Sequence, residues 1–373
     1  MENSAPIDRI SNLPDEILCY ILSFLPTKLA FTTTILSKRW TSLFKLLTTL
    51  HFDDESFSKQ AFPCFVNTVM LFTQLIKTFH LNCNSIHRNS FNLWIKTAKL
   101  HPLENLELRS TFHDIGIILC PSIFIFPTLV VLKLTKLKVV HNIFVDLPSL
   151  KTLHLIHVVF KNKDNFNKLL NECPILEDLQ TYDVYYIEEQ GEGVRLKTLP
   201  KLMRANIDTY DVPIKAIYNV HFLKIKMTGM SLQPKIHSYC RDFLVLQNLI
   251  HLELCYYNMD DVVKVLQNCP KLQILSVTKW TYLCNKGLYY MLGAFLPTSV
   301  PKCIFSQLRS CTINYDGSID EIQFATYILK NAPLLRVMKI TVTEPSSSCQ
   351  VALKKLKSHP RISPKCELSI TFT

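Results

Sequence analysis

Apolar and polar residues alternate along this chain in a line that returns throughout it. LPSLKTLHL (Leu147 to Leu155) sets the pattern, and FPTLVVLKL at Phe126, LQNLIHLEL at Leu246, CPKLQILSV at Cys269 and APLLRVMKI at Ala332 repeat it. Weaker copies start at Phe44, Thr73, Leu100, Cys173, Leu199, Ile217, Phe305 and Ile362, and the mean step between copies is about 26.5 residues. In each line two apolar residues flank a third, as a strand buried on one face requires. The flanking pairs are Leu50 and Phe52, Phe79 and Leu81, Leu106 and Leu108, Leu132 and Leu134, Leu153 and Leu155, Leu179 and Thr181, and Ala205 and Ile207. They continue with Leu223 and Ile225, Leu252 and Leu254, Leu275 and Val277, Cys311 and Ile313, Met338 and Ile340, and Leu368 and Ile370; Thr181 is the polar exception. The residues between are polar throughout: His51, His80, Glu107, Lys133, His154, Gln180, Asn206, Lys224, Glu253, Ser276, Thr312, Lys339 and Ser369. A helix would not keep this period of two.

The return segments FNKLLNECP, VVKVLQNCP and TYILKNAP carry a helical apolar pattern stopped by proline, so the unit is expected to be strand plus helix. Pattern and step are those of leucine-rich repeats, which predicts an α/β fold: an irregular solenoid of strand-helix units along a curved parallel sheet. The asparagine that many such repeats place three residues after the core pair is missing; Thr111, Leu137, Val158, Tyr257 and Trp280 stand there.

Before the repeats the period changes to that of helices. Pro14, Asp15 and Glu16 form a strong helix start, and Ile17, Leu18, Ile21, Leu22 and Leu25 make a wide apolar stripe ended by Pro26. Lys28 to Ile35 can form a second helix despite the poor helix formers Thr32, Thr33 and Thr34, and Ser37 is a natural N-cap for a third carrying Lys38, Arg39 and Trp40. A module of about forty residues cannot bury so many apolar side chains by itself. Something else must cover them.

The order LPDE, LSFLPTK, LSKRW between Asp8 and Phe44 resembles the F-box, the docking module that ties a substrate receptor to the small adaptor of a cullin-type (SCF) ubiquitin ligase. Plant relatives often have Trp where Phe44 stands and Ser where Thr34 stands, changes that keep shape and polarity. FSQLRSCTINYDGSIDEIQFATYILKNAPLLRVMKITVTE from Phe305, closed by LKKLKSHPRISPKCELSITF, is similar to the FBD region of plant F-box/leucine-rich-repeat proteins, and Trp94 to Arg109 matches that family's entry into its repeats. The resemblance to the plant F-box/FBD/leucine-rich-repeat family implies three parts: an F-box at 1–47, repeats at 48–300 and an FBD-like cap at 301–373. It further implies that Leu13, Pro14, Ile17, Leu18, Ile21, Leu22, Leu25, Pro26, Leu36 and Trp40 form the adaptor-facing surface or its support.

Composition narrows the remaining classes. With 48% hydrophobic and 19% charged residues the chain is built for a large core. Thirteen cysteines without CxxC spacing read as reduced, mostly buried thiols. Glu2 and Asp8 with no apolar core region argue against a secretory signal, which predicts cytoplasm or nucleus. Ile115 to Leu132 is uncharged over eighteen residues, but Pro121 and Pro127 argue against a spanning helix, so no membrane partner is expected. The net charge of +11 is scattered and accompanies no nucleic-acid motif, which favours a solvated surface biased toward acidic partners over one for nucleic acid.

Catalytic chemistry has no foothold. Only seven glycines occur, and GxGxxG, GxxxxGK, GxSxG and HExxH are all absent. His154 and His157 lack accompanying ligands and read as two surface histidines, so no metal and no cofactor are expected. The family resemblance implies a non-enzymatic substrate receptor that joins a target protein to the adaptor and, through it, to cullin. The exposed row from His51 through Glu253 named above is the candidate target surface, and its His51, His80 and His154 are candidates to respond to pH. The alternatives are a repeat scaffold outside ubiquitin ligation, with the N-terminal helices as a mere cap, and a basic nucleic-acid-binding repeat protein.

Overall fold

A computed structural model describes residues 10, 12–55, 57–83, 88–111, 116–188, 193–226, 245–256, 259–279, 299–317, 319–342 and 347–372, without the side chains of 88, 89 and 347–349. Glu2, Asp8, Ile115, Tyr257 and Trp280, used above, lie outside the described residues. The chain divides into two units, Met1–Cys173 with Asp183–Arg195, and Pro174–Tyr182 with Leu196–Thr373.

The first unit opens with three short helices, α1 (Asp15–Ser23), α2 (Thr27–Thr32) and α3 (Lys38–Lys45). The threonine run ends α2, and the backbone tightens into a 3-10 turn over Thr33–Ile35. Ser37 occupies the N-cap position of α3 without a side-chain cap bond. Then follow β1 (Thr49–Asp53), α4 (Ala61–Phe72), β2 (Thr78–Cys83), α5 (Arg88–Ala98) and β3 (Asn105–Ser110). Strands β1, β2 and β3, with β5 (Val131–Thr135) and β7 (Thr152–Ile156), pair in parallel, each in register with the next.

The helical module is fused to the first repeats by aromatic packing. Phe31 of α2 meets Phe44 of α3 with ring centroids 5.2 Å apart, and Phe65 and Phe72 of α4 at 5.8 Å. Phe62 of α4 packs at 5.7 Å on the buried Trp94 of α5, whose indole N–H donates to Asn67 Oδ1 at 2.8 Å. The β1 edge is also covered: the His51 backbone N–H donates to Thr27 Oγ1 of α2 at 2.7 Å. An edge donor that would otherwise seek a further strand is thereby satisfied.

In the returns that follow β3, β5, β7 and β9 (Asp178–Tyr182), strands stand where helices were expected. A second parallel sheet forms from β4 (Ile117–Ile118), β6 (Leu137–Val139), β8 (Val159–Asn162) and β10 (Tyr185–Glu188). The prolines and β-branched residues of the uncharged stretch suit this outcome, with a 3-10 turn at Pro121–Phe124. Leu119, Ile123, Phe124, Phe126 and Leu129 of that stretch are buried in this unit. Among the described residues no helix is long and apolar enough to cross a membrane. Lys136, His157 and Asp183, at the bends after three ladder strands, take left-handed φ values of 55°, 52° and 49°. Leu137, the first residue of β6, and Val158, directly before β8, stand at the missing asparagine positions and are fully buried. Helix α6 (Lys163–Asn171) holds the returning chain at 193–195: Asp164 accepts from the Gly193 and Val194 N–H groups, and Asn167 and Asn171 donate to the Val194 and Arg195 carbonyls. Gly193 has φ 83°, a conformation glycine adopts without strain.

The second unit runs β9 (Asp178–Tyr182), β11 (Arg204–Asp208), β12 (Phe222–Lys226), β13 (His251–Tyr256), α7 (Met259–Gln267), β14 (Ile274–Lys279), α8 (Lys302–Ser306), β15 (Ser310–Tyr315), α9 (Ile319–Asn331), β16 (Val337–Val342), α10 (Ser347–Lys357) and β17 (Glu367–Phe372). Its strands form a parallel ladder in this order. Every line anticipated from the alternation thus contains a strand, and twelve of the core pairs are buried. The last pair, Leu368 and Ile370, is only half-buried because among the described residues β17 has a strand neighbour on one side alone. Helices α6, α7 and α9 stop just before the anticipated prolines. Their last carbonyls are satisfied by neighbouring side chains: the Cys173 and Cys269 thiols donate to the Leu169 and Val265 carbonyls, and the Asn268 and Asn331 amides to those of Lys264 and Tyr327. Burial pushes the Cys173 thiol up to about 12, so it stays a thiol.

Glu321, in the first turn of α9, is 1% exposed and accepts the Asp316 N–H at 3.0 Å. Burial and then the Asp316 carboxyl push its pKa up to about 8, against the pull of Lys279. Its unfolded value is near 4.5, so the folded chain holds an extra proton between pH 4.5 and about 8. The stabilisation is complete below that window and is lost as pH rises through it. Glu321→Gln, which mimics the protonated acid, should unfold near wild type at pH 5 and several degrees above it at pH 8.5. A gap that does not widen with pH in thermal unfolding would exclude this titration.

Candidate functional site

Two surfaces stand out, and neither resembles a catalytic pocket. Among the described residues no group of three His, Cys, Asp or Glu is placed to hold a metal ion.

The first surface is the outer side of α1. Leu18 and Leu22 point inward and are buried, whereas Ile17 (45% exposed) and Ile21 (40%) face outward. Tyr20 of α1 and Phe24, its C-cap, stand exposed with ring centroids 4.7 Å apart, and Leu29, Ile35 and Leu36 are exposed in the segments that follow. Leu13, Leu25 and Trp40 are half-buried, and Pro14 and Pro26 are exposed. The ten residues expected to form or support a docking surface therefore separate into a buried pair (Leu18, Leu22), half-buried residues and an exposed group. Arg39 of α3 fixes the start of α1: its Nε and Nη2 lie 2.8 and 2.6 Å from Asp15 Oδ1, and Nη2 donates to the Leu13 carbonyl at 2.5 Å. An exposed pair of this kind adds at most about 1 kcal/mol, so its effect is orientation more than stability. Sequence inspection missed Tyr20 and Phe24, although their three-residue offset from Ile17 and Ile21 was available as a signal.

The second surface is the outer face of the strand ladders. In the first unit His51, His80, Glu107, Lys133 and His154 stand directly abreast. The Nδ1 atoms of His51 and His80 are 2.9 Å apart, so one ring donates and the other accepts. Burial lowers the pKa of both, Lys133 and the neighbouring ring lower that of His80 further, and Glu107 opposes the shift. Lys133 Nζ lies 3.6 Å from Glu107. In the second unit Gln180, Asn206, Lys224 and Glu253 stand abreast, with Lys224 Nζ 2.9 Å from Glu253. Two residues earlier on the same face, the Arg204 guanidinium lies 4.6 Å from the Phe222 ring centroid, and Phe222 packs edge-on against His251 at 4.7 Å. Taking one residue per strand missed this stack. Its signal was the same period of two, read two positions earlier.

Parallel repeat strands preceded by a helical module with an outward apolar face define a repeat protein with an N-terminal helical module. The chain matches the F-box domain over residues 10–51, the LRR repeats of FBD-associated F-box proteins over 91–198 and the FBD over 296–340. It is 30% identical to F-box/FBD/LRR-repeat protein At4g26340 of Arabidopsis thaliana, the alignment covering 97% of this chain and 99% of the relative. It is also 30% identical to FBD-associated F-box protein At4g10400 of the same plant, over 98% of this chain and all of the relative. The chain belongs to the plant F-box/FBD/LRR-repeat family.

The two faces of α1 predict opposite responses to one substitution. Leu18→Asp should cost about 3–5 kcal/mol and lower the melting temperature sharply, because it buries an unpaired carboxylate. Ile17→Asp should stay within about 1 kcal/mol of wild type. Equal losses in thermal unfolding would mean that Ile17 is covered in solution.

Proposed function

We propose that this chain is the substrate-recognition subunit of an SCF-type ubiquitin ligase. The exposed apolar side of α1 carries this reading: Ile17 and Ile21 remain outside while Leu18, Leu22 and Phe44 join the core. A helical module serving only as a cap would have no use for that second apolar face. Leu13, Pro14, Ile17, Ile21, Leu25, Pro26, Leu36 and Trp40 then meet the adaptor, with Leu18 and Leu22 as supports. Residues 1–47 act as the docking module, 48–300 as the repeats and 301–373 as the FBD-like closing region.

In this role the chain performs no bond-making step. Its contribution is effective concentration: the adaptor, and cullin through it, is held at α1 while the strand face holds a target protein, so that ubiquitin transfer on partner subunits becomes local. His51, His80, Glu107, Lys133, His154, Gln180, Asn206, Lys224 and Glu253 are the proposed target contacts, joined by Arg204, Phe222 and His251. Aromatic and arginine side chains of this kind commonly anchor protein interfaces. The site of action is cytoplasm or nucleus.

Co-expression with an SCF adaptor, followed by size exclusion, tests the proposal. Wild type should co-elute with the adaptor, and the double variant Leu13→Ala, Ile17→Asp should elute free while still folded. A folded wild type that binds no adaptor paralogue would favour a repeat scaffold outside ubiquitin ligation.

A further inference from the structure

The FBD-like closing region carries an excess of positive charge. Residues 301–373 hold ten Lys and Arg against five Asp and Glu. Three of the acids, Asp316, Asp320 and Glu321, gather where α9 begins, and the helix runs thirteen residues, about 20 Å, before its other end. The cations collect at that other end.

Backbone bonds place them together. The Arg309 N–H donates to the Gln273 carbonyl, the Arg336 N–H to the Arg309 carbonyl and the Glu367 N–H to the Arg336 carbonyl. Arg309 and Arg336 thus sit abreast at the starts of β15 and β16, about 4.8 Å apart along the ladder. The Arg361 guanidinium donates to the Cys366 carbonyl, the residue before Glu367, at 2.8 Å and to the Lys357 carbonyl at 3.5 Å. The Ile362 N–H donates to the Leu329 carbonyl at 3.0 Å, which brings this group beside Lys330. Arg309, Arg336, Lys330, Lys357 and Lys365 are exposed and Arg361 is half-buried. Among the described residues none of these six lies within ion-pair distance of a carboxylate. Among the described residues, Glu367 is the acid that the backbone ladder places beside them.

Lys330 and Lys357 have an ordinary role, since each closes a helix whose C-terminal end is negative. Arg309 and Arg336 do not. They directly precede strands, and like charges set side by side across a ladder are unfavourable unless an opposite charge joins them. Exposed aliphatic side chains are interleaved with them: Leu334, Val337 next to Arg336, and Ile362 next to Arg361.

We infer that this rim is a second interaction surface, one that binds an acidic segment of a partner protein whose carboxylates alternate with apolar residues. Carboxylates would take the bidentate positions that arginine offers, and the partner's apolar residues would cover Leu334, Val337 and Ile362. A nucleic-acid backbone would neutralise the charge but leave those aliphatic groups exposed.

The test is fluorescence anisotropy on the full chain at about 0.1 M salt. The probes are a labelled twelve-residue peptide of alternating glutamate and leucine, and a twelve-nucleotide oligouridine. The peptide should bind more tightly than the RNA. The double variant Arg309→Glu, Arg336→Glu should weaken peptide binding at least about tenfold, the Arg309→Lys, Arg336→Lys pair should retain most of it, and the reversal of two other exposed cations, Lys201→Glu with Lys215→Glu, should change it little. Circular dichroism identifies a variant that has unfolded, and Arg309→Gln with Arg336→Gln then takes its place. No peptide binding, tighter binding of the RNA, or equal losses from the Lys201 and Lys215 control would each overturn the proposal.

Discussion

Everything in this molecule depends on the burial of two alternating side chains per strand. A single repeat strand with one apolar face cannot exclude water from that face. Stacked in parallel and in register, Leu106 lies beside Leu132 and Leu132 beside Leu153, and each pair shields the next. At about 25 cal/mol per Å² of apolar surface removed from water, such a stack gains stability with every strand that extends it. The same constraint makes the ends of a ladder difficult, because the last strand has a neighbour on only one side.

At the β1 edge the difficulty is resolved by the N-terminal helices. Thr27 satisfies an edge donor, and Phe31 and Phe44 extend the aromatic core of α4 across the first strand. Covering the edge uses one side of the helical module. The stripe on α1 is wider than that side, so Ile17 and Ile21 remain outside while Leu18 and Leu22 go in. The cap and the exposed apolar face are therefore two sides of one module. At β17 no helix or strand covers the outer side among the described residues, and Leu368 and Ile370 are correspondingly half-buried.

The polar half of the alternation has fewer constraints and more functional freedom. Its residues pack against solvent and one another, so their identity is set by pairing across strands: His51 with His80, Glu107 with Lys133, Lys224 with Glu253. Cross-strand neighbours of this kind contribute tenths of a kcal/mol each. They define a surface pattern without holding the sheet together, which leaves them free to contact a partner.

Strand positions, the inward and outward faces, the N-terminal helices and the helical returns of α6, α7 and α9 were all legible by eye, because a side-chain period of 2 or 3.6 is imposed locally by backbone geometry. Local period could not reveal what the chain does where several choices satisfy the same hydrophobicity. In the returns after β3, β5 and β7 it forms a second sheet where helices were expected, because Leu137, Val139 and Phe160 find their burial across repeats and not within one. The Arg204, Phe222 and His251 stack arises from three strands that register alone brings abreast. Glu321 is an ordinary acidic residue at a helix start until Asp316 and the surrounding core close over it. The amino-acid sequence by itself determined which residues must leave water. Tertiary structure decided which of them found a partner inside the chain and which, like Ile17 and Ile21, were left facing out, since that choice depends on distances between segments far apart in sequence.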